Sequence, residues 1–227
     1  MCTFTKIIFG SVMLILVENV LADQSFKTDK VCNITREILC VRDELLKTAT
    51  AVRNINRTLN EIERNILIST TINETLHRYI SFETRYIQIQ LPTPQIHANF
   101  FKNSNINKTY LIDLLLEAHD AMSFYYNSIE DILKIQDPFG SSSNTWFHQI
   151  KLDLQHKVIC PYRNVLNVYS SQWPIITEIS RIKFYPKRYQ NSPSLLHDVR
   201  SIIIAQLLRE WMTKMHSVIV NIEQKFR

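Results

Sequence analysis

From Ser192 to Arg227 the chain reads SPSLLHDVRSIIIAQLLREWMTKMHSVIVNIEQKFR. The stretch holds no glycine and no proline beyond Pro193. Ser192 suits an N-cap, and Pro193 suits the first helical position, where the missing N–H has no helical partner to lose. Apolar residues recur at Leu196, Val199, Ile203, Leu207, Trp211, Met215, Val218, Ile222 and Phe226. Steps of three and four are the period of one helix face. A helix over 192–226 would be about 50 Å long. A stripe of that length needs partner helices of similar length.

Three such partners are predicted upstream. The first covers about 32–69, with Ile38, Val41, Leu45, Ala49, Val52, Leu59, Ile62 and Ile66 on one face. The second covers about 108–136, with Leu111, Leu115, Ala118, Met122, Tyr125, Ile129 and Ile132 facing in, and stops at Asp137-Pro138-Phe139-Gly140. The third covers about 144–170, with Phe147, Ile150, Leu154, Val158, Val165 and Tyr169 facing in. Pro161 falls inside it and should kink or split it. Gly140 is the only glycine after Gly10, which argues against folds built from many tight β-turns.

The connections select an order. The link between the second and third helices is short, so those two are antiparallel neighbours. The links over about 70–106 and 171–191 are long. Within the first of these, Tyr86-Ile87-Gln88-Ile89-Gln90-Leu91 alternates like a short strand. A long link lets the chain cross the length of a bundle and start the next helix in the same direction. The expected fold is therefore all-α, a long-chain four-helix bundle running up-up-down-down with two crossover loops.

The first 22 residues read as a secretory signal peptide. A weakly basic start precedes the apolar run Ile7–Val17, and Val20-Leu21-Ala22 offers a cleavage site. The run is short for a membrane span, so secretion without stable membrane insertion is expected, with 23–227 as one domain. Four N-x-[ST] sequons follow, at Asn33, Asn56, Asn73 and Asn107, and mark glycosylation sites. The formal net charge of +5 does not suggest nucleic acid in a secreted chain, but permits attraction to extracellular anionic glycans.

Cys2 would leave with the signal, which leaves Cys32, Cys40 and Cys160 in an oxidising compartment. In the crossover bundle all three lie toward one end. Cys32 to Cys160 is the favoured disulfide, since a residue just outside a helix adjusts more easily. Cys40 to Cys160 is the alternative. No nucleophile, phosphate-loop or paired metal motif is present, and the string Glu74-Thr75-Leu76-His77 lacks the second copy that a di-iron bundle needs. No enzyme, cofactor or metal site is expected.

These features together resemble the long-chain helical cytokines of the interleukin-6 type, the leukaemia inhibitory factor, ciliary neurotrophic factor and cardiotrophin-like group, and also the invertebrate Unpaired ligands. Leu207-Leu208-Arg209-Glu210-Trp211 is similar to the last helix of the ciliary neurotrophic group. The cysteines near the first helix with a partner late in the third resemble those of leukaemia inhibitory factor. Phe184-Tyr185-Pro186-Lys187 resembles the F-x-x-K receptor-contact motif of that group, but lies before the last helix, with Pro186 inside it. The resemblance implies a ligand for a cell-surface class I cytokine receptor that activates JAK/STAT signalling, with Phe184 and Lys187 as receptor-contact candidates. The alternative is a secreted helical carrier of lipid or another apolar ligand.

Overall fold

The computed structural model describes residues 32, 41–69, 73–103, 106–135, 142–169, 180–184 and 193–225. The helices are α1 (Val41–Ser69), α2 (Asn73–Ile87), α3 (Gln95–Asn99), α4 (Lys108–Leu133), α5 (Ser142–Leu154), α6 (Cys160–Tyr169) and α7 (Pro193–Lys225). Short 3₁₀ turns follow α2 and α3, and a π-helical segment, Gln155–Ile159, joins α5 to α6. The chain is all-helical, with no strand among the described residues. The expected signal peptide, Asn33, Cys40, Ser192 and Phe226 lie outside them.

α7 starts at Pro193, as the missing N–H of that residue favours. Its widest packing partner is α1. Val52, Ile55, Leu59 and Ile62 of α1 are buried, as are Val199, Ile203, Trp211 and Met215 of α7. Removing one such aliphatic side chain from water contributes about 1.5–3 kcal/mol. Polar pairs fix the register: Gln206 donates to Glu63 at 2.7 Å, Arg209 donates to Asn60 at 2.9 Å, and Arg209 pairs with Glu63. Rising numbers on α7 meet falling numbers on α1, so the two helices are antiparallel.

The same reasoning orients α4 against α5 and α6. Arg163 meets His119, Gln155 meets Tyr126, and Lys151 meets Glu130, an antiparallel register. His197 in the second turn of α7 bonds Asn144 in the first turn of α5 at 2.8 Å, so those helices begin at one end of the molecule.

The expected break at Pro161 takes a definite form. Pro161 has no N–H to give the carbonyl of Lys157, four residues back. The helix widens before it into the π segment, where the Cys160 N–H reaches the Gln155 carbonyl. The buried hydroxyl of Thr48, on α1, donates to the Lys157 carbonyl at 3.3 Å. A neighbouring helix thus supplies the donor that proline withholds.

Two expectations are corrected. The alternating run 86–91 is not strand-like: it ends α2 and passes into the 3₁₀ turn Gln88–Gln90. Helical spacing over a longer window wins, with Leu76, Ile80, Glu83 and Ile87 on one face of α2, packed toward α7 and the core. Tyr169 does not face into the core; it is 37% exposed at the end of α6.

Candidate functional site

Two regions offer surface to a partner or ligand. The first lies where the two long connections meet. The segment 180–184 is laid across α4 and the end of α2. Gln90 grips it from both sides: its Oε1 accepts from the Lys183 N–H at 2.8 Å and its Nε2 donates to the Lys183 carbonyl at 3.1 Å. One side-chain amide therefore satisfies both backbone groups of one residue, as a neighbouring strand would. Ser128 Oγ accepts from the Ile182 N–H at 3.0 Å and donates its own O–H to the Phe124 carbonyl at 2.8 Å. Arg181 pairs with Asp131 at 2.8 Å.

Phe184 sits half-buried against the core, with the Arg200 guanidinium 4.7 Å from its ring centroid. Burial pulls the Arg200 guanidinium down, while the buried Glu83 and the partly exposed Asp131 pull it the other way. Phe184 is thus partly occupied inside the molecule. Lys187 lies outside the described residues. What the helical reading of α2 adds is a ridge: Phe82, Tyr86 and Ile89 stand 38%, 43% and 94% exposed. They recur at i, i+4 and i+7, one outer face of the helix and its 3₁₀ extension. Gln90 places this ridge beside the exposed Lys183. The spacing was present in the sequence, hidden by the shorter alternating run.

The second region is an apolar pocket of about 460 Å³ at the other end of α4 and α7. Leu45 of α1, Leu111 and Leu115 of α4, Leu166 of α6 and Ile222 of α7 are among its walls. Arg42, Lys108 and Tyr169 also line it. The first turns of α1 and α4 therefore meet the last turns of α6 and α7.

The link after α2 is clamped by a group that the sequence did not single out. Glu117 accepts from the N–H of Ile96 at 2.7 Å, from the N–H of His97 at 2.9 Å, and from His97 Nδ1 at 2.6 Å. A carboxylate only accepts, so the His97 proton resides on Nδ1. Burial alone would raise the Glu117 carboxyl, but these hydrogen bonds outweigh it and hold the group below the usual carboxylate range. The His97 ring meets Trp211 edge-on at 5.6 Å, and Trp211 donates to the Pro92 carbonyl at 3.2 Å.

Cys32 is disulfide-bonded to Cys160, with Cα atoms 5.4 Å apart. Beside it, buried Arg163 donates to His119 Nε2 at 2.9 Å. An arginine has no acceptor, so His119 carries its proton on Nδ1, facing Asp120 at 2.9 Å.

Of the sequons, Asn107 is exposed and caps α4, accepting from the Tyr110 N–H at 2.8 Å. Asn56 is half-buried in mid-α1 with its Oδ1 enclosed. Asn73 opens α2. Among the described residues no three His, Cys, Asp or Glu side chains gather to hold a metal ion. No described helix is long and apolar enough to cross a membrane. Comparison with protein families, curated proteins and solved structures finds no match for this chain.

Proposed function

We propose that this chain is a secreted, glycosylated, cytokine-like ligand that binds a class I cytokine receptor and activates JAK/STAT signalling. The fold that goes with this reading is the four-helix bundle, up-up-down-down, with α5 and α6 acting as one kinked helix. The observation that carries it is the meeting of helix ends at the apolar pocket. Helices α1 and α4 start where α6 and α7 finish, the arrangement that long connections before α4 and before α7 serve. A ligand of this kind does no chemistry; its free energy of action is burial of surface on receptor chains.

The receptor face is the ridge Phe82, Tyr86 and Ile89 with Lys183 and the half-buried Phe184 beside it. It combines exposed aromatic and aliphatic anchors with basic neighbours on a segment already held in place, so little ordering entropy is lost on binding. The carrier alternative, with a bundle opening around apolar cargo, fits less well. The five consecutive residues Ser201–Ala205 of α7 are all buried, so that stretch of the helix is already covered on every side.

The test is STAT phosphorylation in receptor-bearing cells of the source organism, exposed to purified secreted protein. A dose-dependent rise is expected. Ile89→Arg should shift the response to about tenfold higher concentration or more while the helical circular dichroism stays unchanged. Absence of any response in cells that answer a control cytokine would remove the activating reading. A full response from Ile89→Arg would remove this face.

A further inference from the structure

The apolar pocket lies far from the proposed receptor face. Arg200, beside Phe184, and Ile222, in the pocket wall, stand roughly six turns apart on α7, about 33 Å. Its volume of about 460 Å³ falls within the range of small-ligand sites, roughly 300–1,000 Å³. Its walls are aliphatic. Among its described lining residues the polar groups are two cations, Arg42 and Lys108, and the phenol of Tyr169, with no carboxylate. Both cations are exposed and Tyr169 is 37% exposed, so the polar groups sit at the mouth while Leu115 and Leu166 are buried deeper.

We infer that this pocket binds a single-chain amphiphile with an anionic head, of the fatty-acid class, its alkyl chain among the four helix ends and its carboxylate between Arg42 and Lys108. Charge complementarity selects the head: a cationic rim repels an ammonium amphiphile and gives a neutral one no ion pair. Apolar area removed from water drives the tail in. The site is preformed, so it does not require the bundle to open, and it stands or falls independently of the receptor face.

The purified secreted protein, stripped of bound lipid, is titrated with dodecanoate and separately with dodecanol. One saturable dodecanoate site per chain is expected. Ile112→Trp, a half-buried wall position, fills the space and should weaken dodecanoate by about tenfold or more, with unchanged circular dichroism and thermal midpoint. The double variant Arg42→Gln with Lys108→Gln changes only exposed rim positions. It should weaken dodecanoate about fivefold and leave dodecanol within about twofold. A folded wild-type protein that binds no dodecanoate overturns the proposal. So does undiminished binding by folded Ile112→Trp. Equal loss of acid and alcohol in the rim variant overturns the anionic class.

Discussion

At the scale of single residues, the most informative side chains are polar ones that meet a need created elsewhere. Thr48 supplies the donor that Pro161 cannot, and its hydroxyl is buried. Thr48→Val keeps the shape and removes the donor, and should cost about 1 kcal/mol in urea unfolding. Glu117 does the same for the two backbone N–H groups at Ile96 and His97. Its carboxyl is lowered in the folded chain, so its contribution is fully present above the unfolded value of about 4.5 and is lost as pH falls through the folded value. Glu117→Gln should therefore destabilise by about 2 kcal/mol near neutrality, with the gap to wild type closing as pH falls through the lowered folded value. Thermal midpoints of both proteins between acid and neutral pH check this; a gap that widens toward acid would contradict it. Neither residue's partner was legible in the sequence, because Thr48 and Glu117 read as ordinary polar positions on amphipathic helices.

At the scale of elements, α5, the π segment and α6 behave as one helix with a repair. The sequence disclosed the fault, since Pro161 sits in an otherwise helical run, but not the remedy, which arrives from α1. If that is the reason for the Thr48 contact, Pro161→Ala restores the missing N–H and makes Thr48 partly redundant. In a double-mutant cycle, Thr48→Val should then lose about half its cost in the Pro161→Ala background. Full additivity would show that the two positions act separately. α2 carries the opposite lesson. Six alternating residues suggested a strand, yet Leu76, Ile80, Glu83 and Ile87 already marked a helix face. Its outer residues Phe82, Tyr86 and Ile89 then become one ridge.

At the scale of the whole molecule, the Cys32–Cys160 bond spans a sequence separation of 128 residues and ties the start of the described chain to α6. Closing a loop that long restricts the unfolded chain by about 4–5 kcal/mol. Replacing both cysteines by serine should lower unfolding stability by about that amount, less where the unfolded chain is already compact. Denaturation with and without reductant should show the same loss in the wild type, and no added loss in the variant. The sequence by itself determined that the chain is helical and where its long helices run, because periodicity, capping and the scarcity of glycine are properties of neighbours along the chain. It also narrowed the disulfide to two choices through the order of the helices. Only the tertiary structure decided that α7 is enclosed over Ser201–Ala205, that Glu117 clamps the link before α4, that Arg200 covers Phe184, and that four helix ends leave an apolar pocket with a cationic mouth. Each of these depends on residues far apart in sequence meeting in space, and a period of three and four carries no record of which faces will meet.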